Sequence, residues 1–135
     1  MKKTTVFALL LSLFCNQLSA QLQDDFSDGD FSSDPEWFGD TGKFGVTDEQ
    51  LQLLDNDPVA NNTAYLYLPA PTSNNTATTW EAYIRMDFAP SASNFARLYL
   101  SASNPNLSES QEGYYLKAGG ISGSDDALEL YRQDG

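Results

Sequence analysis

The stretch WEAYIRMDF, Trp80 to Phe88, decides the fold. Its apolar members Trp80, Ala82, Ile84, Met86 and Phe88 alternate without a break with Glu81, Tyr83, Arg85 and Asp87. A period of two is the mark of a strand with one face toward a core and one face away from it. Shorter stretches obey the same rule, with Leu66 and Leu68, Leu98 and Leu100, Leu116 and Ala118, and Leu128 and Leu130 on the inward parity. Phe44 to Val46 and Gln50 to Leu54 read as a hairpin around Thr47, Asp48 and Glu49. Turn signals such as Asp28-Gly29, Asp57-Pro58, Pro69 to Asn75 and Gly119 to Ser124 punctuate the chain too often for a helix of ordinary length. The pattern predicts an all-β protein, an antiparallel β-sandwich.

Upstream of these strands lies a different composition. Met1 to Ala20 opens on Lys2 and Lys3, runs through apolar residues from Val6 to Phe14, and closes on the small residue Ala20. This is a secretory signal peptide over 1–20, too short in its apolar run to span a bilayer. Phe14 before Cys15 lacks the small residue of a lipoprotein cleavage site, and Cys15 leaves with the leader. Residues 21–135 form the exported domain. The expected destination is the medium or the outer cell surface of a Gram-negative bacterium, with no membrane insertion after cleavage.

The exported part contains no cysteine, and the whole chain has no histidine. Disulfides, Cys/His zinc sites, Cys-His nucleophiles and Ser-His-Asp triads are therefore excluded from it. All nineteen acids remain after the leader, against five basic residues once Lys2 and Lys3 are removed, so the formal charge is −14. Such a chain repels nucleic acid and anionic membranes. At the other end, Ala127 to Arg132 reads as a strand, and Gln133-Asp134-Gly135 opens a hairpin turn with no strand after it. The expectation from this pattern is a domain incomplete at its C-terminus.

The order Asp24-Asp25-Phe26-Ser27-Asp28-Gly29, then Trp37, Phe44 to Val46, Leu51 to Leu53, Trp80 to Phe88, Phe95 to Leu100 and Gly113 to Leu116 resembles the concanavalin A-like (laminin-G-like) jelly-roll module. It is most similar to the form found at the N-terminus of large secreted bacterial surface proteins, some with downstream lamin-tail and C-terminal sorting domains. The resemblance implies a jelly-roll sandwich in which Asp24 to Phe26 is an opening strand and Ser27 to Asp30 a turn. It also implies calcium as a candidate cofactor, because related modules often hold it. A strict EF-hand-type loop fails here, since Phe26 occupies the third ligand position before Gly29. A looser site using Asp24, Asp25, Asp28 or Asp30 with backbone carbonyls stands beside the plainer reading of a turn with a solvated acidic edge.

Paired carboxylates are the acid/base machinery left to such a chain. Glucanases of the resembled fold class carry a Glu-x-Asp-x-x-Glu strand, and no such run exists here. Glu81 and Asp87 share a parity but stand roughly 20 Å apart along an extended strand, too far for a two-carboxylate mechanism. The sequence thus points to a non-catalytic module. Its tyrosines offer a binding surface instead: Tyr65, Tyr67, Tyr83, Tyr99, Tyr115 and Tyr131 all fall opposite the leucine register, and Tyr114 does not. Tyr83, Arg85, Asp87, Arg97, Tyr99, Tyr115 and Lys117 are the candidate ligand-binding set, joined by Phe95 on the same parity. Rings that stack on a sugar's apolar face, beside groups that bond its hydroxyls, suit a polysaccharide or surface glycan. Tyrosine is equally a strong strand former suited to a covered sheet face. The competing readings are a glycan-binding or adhesion module, an accessory N-terminal domain of a larger secreted hydrolase, and a structural spacer.

Overall fold

A computed structural model of the chain describes residues 22–55, 59, 62–70, 77–120 and 127–135. The expected leader over 1–20 lies outside the described residues. The described part is built of antiparallel strands, with one three-residue 3-10 turn at Thr41–Lys43 and no other helix. Its elements are β1 (Phe38–Gly39), β2 (Phe44–Thr47), β3 (Gln50–Leu53), β4 (Leu66–Tyr67), β5 (Phe95–Ala102), β6 (Glu112–Gly119) and β7 (Leu128–Asp134). They pair as β1-β4, β2-β3 and β5-β6-β7.

The β2-β3 hairpin forms where the sequence places it, with Thr47 opposite Gln50. Asp48 and Glu49 take positive φ values of 51° and 58°, the backbone of a two-residue turn whose twist matches that of its strands. The small β1-β4 sheet brings Phe38 opposite Tyr67, their rings stacked with centroids 5.6 Å apart. Next to this pair, Gly39 runs at φ +120°, and a Cβ there would sit 2.5 Å from the Tyr65 carbonyl oxygen. Glycine is what permits this approach.

The three-stranded sheet dominates. Its register sets Arg97, Leu98 and Tyr99 of β5 opposite Lys117, Leu116 and Tyr115 of β6. The same β6 residues face Glu129, Leu130 and Tyr131 of β7. A bulge between Tyr99 and Ser101 shifts the upper half, so that Ser101 pairs with Tyr114 and Ala102 with Gly113. Because Cβ atoms alternate across a strand, one face carries the tyrosine row and the other the leucine row. Among the described residues β5 and β7 are the edge strands of this sheet.

Three sequence expectations are corrected. Asp24 to Phe26 forms no strand. The Asp24 carboxylate accepts the Phe26 N–H at 2.9 Å and the Asp25 carboxylate accepts the Ser27 N–H at 3.0 Å, so side chains take donors that a ladder would need. The turn after it does form, with Gly29 N–H donating to the Phe26 carbonyl at 3.1 Å. Trp80 to Phe88, the stretch with the cleanest alternation, has no ladder partner among the described residues and is not a strand. Residues of both its parities, Trp80 to Ile84 and Met86, nonetheless border a groove of ≈ 560 Å³ that Leu98, Leu100, Leu116, Ala118 and Leu128 also line. Thirdly, Asp134 ends β7 rather than starting a hairpin turn, and Gly135 N–H donates back to the Gln111 carbonyl at 2.8 Å.

The groove is not closed into a core. Among the described residues no apolar side chain is fully buried, and Leu128 and Leu130 are each 66% exposed.

Candidate functional site

The tyrosine row of β5-β6-β7 is a regular side-chain array. Cross-strand registration of Tyr99, Tyr115 and Tyr131 brings the rings into a ladder. Tyr99 and Tyr115 have centroids 5.1 Å apart at a tilt of 41°, and Tyr115 and Tyr131 are 5.1 Å apart and nearly parallel at 8°. These separations lie in the attractive range for aromatic pairs. Tyr115 stands between the other two rings, and Tyr99 and Tyr131 are the ends of the ladder, Tyr99 half-buried and Tyr131 36% exposed. The Tyr99 hydroxyl donates to Gln133 Oε1 at 3.2 Å, and the Tyr131 hydroxyl to Glu129 Oε2 at 2.9 Å. Glu129, by accepting that proton and adding its negative charge, holds the Tyr131 phenol above the usual tyrosine range.

One register step along, cations cover a second aromatic group. The Arg97 guanidinium carbon lies 5.1 Å from the centroids of both Phe95 and Tyr115. Lys117 Nζ lies 4.4 Å from the Phe95 centroid and 6.0 Å from that of Tyr131. A cation over a ring face is attracted by the ring's quadrupole. The face thus presents ring edges, phenol oxygens, an amide, a carboxylate and two cations over the span of three strands.

Of the seven candidate ligand-binding residues, the structure brings Arg97, Tyr99, Tyr115 and Lys117 together. Tyr83, Arg85 and Asp87 lie apart from them on the unpaired stretch around Trp80 to Phe88. Tyr83 is 84% exposed at the mouth of the leucine-side groove. The Arg85 guanidinium pairs with Asp87 at 2.9 Å in the open. A single surface with all seven would need that stretch as a fourth strand on the tyrosine side.

The acidic loop resolves into local turns. Asp24 Oδ2 accepts Trp37 Nε1–H at 2.7 Å, Asp28 accepts the Asp30 N–H at 3.2 Å, and Asp30 accepts the Ser32 and Ser33 N–H groups at 2.7 and 3.1 Å. Hydrogen bonds from Ser27 hold Asp25, and those from Ser32 hold Asp30, below the usual aspartate range. Asp24, Asp25, Asp28 and Asp34 border a hollow of ≈ 260 Å³. Among the described residues no three acidic side chains converge as a cation's shell.

The parity on β7 already sets Tyr131 on the tyrosine register, but the candidate ligand-binding set leaves out Tyr131, Glu129 and Gln133, which the third strand brings to the same face. Sequence reasoning also passed over Gln111, the fully buried side chain of the described part at 1% exposure. Gln111 Nε2 donates to the Asn106 carbonyl at 2.7 Å and its Oε1 accepts the Asn104 N–H at 3.0 Å. Glu109 takes Nδ2–H donors from Asn104 and Asn106 at 2.8 and 3.0 Å. Asn106 Oδ1 accepts the Tyr65 hydroxyl at 3.1 Å, which ties the β5-β6 loop to the chain beside β4. This loop joins β5 and β6, two of the three strands that bear the tyrosine face. Compared with known protein families, with characterised proteins and with solved structures, the chain matches none.

Proposed function

We propose that the chain is a non-catalytic, secreted or cell-surface module that binds glycan through the tyrosine face of β5-β6-β7. The observation that carries this reading is the ladder of Tyr99, Tyr115 and Tyr131 flanked by Arg97, Lys117, Glu129 and Gln133. Sugar recognition combines a ring face with hydroxyl-directed polar groups. The ladder offers its outer ring faces at Tyr99 and Tyr131, and the polar groups stand beside them. The sequence resemblance to concanavalin A-like jelly-roll modules of bacterial surface proteins agrees with this assignment, and the leader-like N-terminus agrees with export. Each stacked sugar contributes on the order of 1 kcal/mol by analogy with aromatic pairs. Useful retention then needs several sugars or several copies of the module.

A glycan array read with the wild type and with Tyr99→Ala/Tyr131→Ala tests the proposal. These positions keep Tyr115 in place and remove both outer ring faces. Selective retention on a subset of polysaccharides, reduced in the double variant, is the expected result. Absent binding, or binding indifferent to both substitutions, would return the ladder to a purely structural part.

A second reading is favoured by the leucine row, with Leu128 and Leu130 each 66% exposed. An accessory or spacer domain that packs against another unit of a larger secreted hydrolase or surface protein would use that face and leave the tyrosines without a ligand.

A further inference from the structure

Five basic residues follow the leader: Lys43, Arg85, Arg97, Lys117 and Arg132. Three hold a carboxylate, with Lys43 to Asp55 at 2.9 Å, Arg85 to Asp87 at 2.9 Å and Arg132 to Asp134 at 2.8 Å. Arg97 and Lys117 hold none among the described residues, in a chain with nineteen acids. They are also direct cross-strand partners, Arg97 of β5 opposite Lys117 of β6, an arrangement in which like charges repel. Glu129 stands opposite Lys117 on the other side, but its carboxylate is turned to the Tyr131 hydroxyl.

Both cations instead rest on Phe95, and Arg97 also on Tyr115. The backbone makes room for this: a Cβ at Gly120, which runs at φ +91°, would collide with Cε of Lys117. Ring faces soften the repulsion without supplying a counter-charge. In a strongly acidic protein, two adjacent cations held apart from every described carboxylate, on the face that carries the tyrosine ladder, are set for an anion from outside.

Resting on the glycan reading of this face, we infer that its ligand is an acidic polysaccharide, one bearing carboxylate or sulfate groups. Arg97 and Lys117 bond the anionic groups while the outer rings of the ladder pack the sugar. The negative charge elsewhere on the chain repels such a polymer at long range, so docking is confined to this face and weakens as salt screens the contact.

The test is a titration of the full chain with a polyuronate, a sulfated glucan and a neutral glucan of matched length, at low and at physiological salt. The variants are Arg97→Gln, Arg97→Gln/Lys117→Gln, and Arg132→Gln as a charge control from the opposite face. The inference expects a clear preference for one of the acidic polymers. It expects binding to fall roughly tenfold or more in the double variant, as charge-assisted hydrogen bonds are lost. Arg97→Gln alone should show part of that loss, and Arg132→Gln should bind as the wild type does. The arm that binds more tightly separates carboxylate from sulfate. Equal affinity for the neutral glucan, undiminished in the double variant, would overturn the charge inference and leave the glycan reading standing. No binding to any of the three polymers would overturn both. Polyglutamate held as tightly as the polyuronate would overturn it in favour of an acidic polypeptide.

Discussion

The two faces of the β5-β6-β7 sheet solve the same problem in different ways. On one, Tyr99, Tyr115 and Tyr131 stand ring against ring, so each is packed by neighbours within its own sheet. On the other, Leu98, Leu116 and Leu130 stand in an equally regular row, yet face a stretch that forms no strand and leaves Leu130 66% exposed. Flat rings on adjacent strands touch one another across the strand spacing. Short branched aliphatics make most of their contacts with a second layer, and fill poorly without one. The aromatic face is thus complete in one layer, whereas the aliphatic face depends on what is laid upon it.

That contrast is open to attack by mutation. The largest effect belongs to Gly113→Ala, because a Cβ there would overlap the Ser101 carbonyl oxygen at the bulge that sets the β5-β6 register. Denaturant titration should show a loss of about 3 kcal/mol, and the damage should reach both faces alike. Tyr115→Ala sharpens the comparison. It removes two ring contacts from the centre of the ladder and should cost about 2 kcal/mol from those contacts. Leu130→Ala, a comparable truncation on the other face, should cost about 0.5 kcal/mol or less because its side chain is already wet. A leucine loss equal to the tyrosine loss would erase the distinction between the faces.

The smallest effects are titrations. The Tyr131 phenol is held above its ordinary value by Glu129, so its contribution is fully present below the unfolded tyrosine value and is lost as pH rises through the folded one. Thermal unfolding followed from neutral to strongly alkaline pH should show the wild type losing a stability increment that Glu129→Gln lacks. Asp25 and Asp30 are held low by Ser27 and Ser32. Their contribution is present above the unfolded aspartate value and fades as pH falls through the folded one. The acid limb should therefore flatten in Asp25→Asn/Asp30→Asn.

Much of this architecture is legible in the residues, and the failures have definite causes. Alternation located β2, β3, β5, β6 and β7 because the turn chemistry around them is strong. It also put Tyr99, Tyr115 and Lys117 on one side correctly. Trp80 to Phe88 shows what periodicity omits: it tells which side chains would share a face of a strand, but it does not name the ladder partner that makes the strand. The opening Asp24 to Phe26 failed for another reason, since aspartates bonding the backbone two residues on compete with strand pairing. The face of β5-β6-β7 leaves Tyr83, Arg85 and Asp87 on the unpaired stretch and takes in Tyr131, Glu129 and Gln133 of the third strand. Which tyrosine lies opposite which depends on loop length and on the bulge at Leu100, and neither is written in parity. Gln111, buried by its loop's own amides, carries no hydrophobic signal at all.

The central claim is that glycan binds on the aromatic face and not in the leucine-side groove. Aromatic-side-chain NMR spectra of the full chain, recorded as an acidic oligosaccharide is added, address it residue by residue. Ring signals of Tyr99 and Tyr131 should shift in a saturable way, with a smaller response from Tyr115 between them. Tyr83, at 84% exposure the most accessible large hydrophobic side chain among the described residues, and Trp80 beside it should stay still. Shifts confined to Tyr83 and Trp80, or no shift at any tyrosine, would rule out glycan binding on the aromatic face.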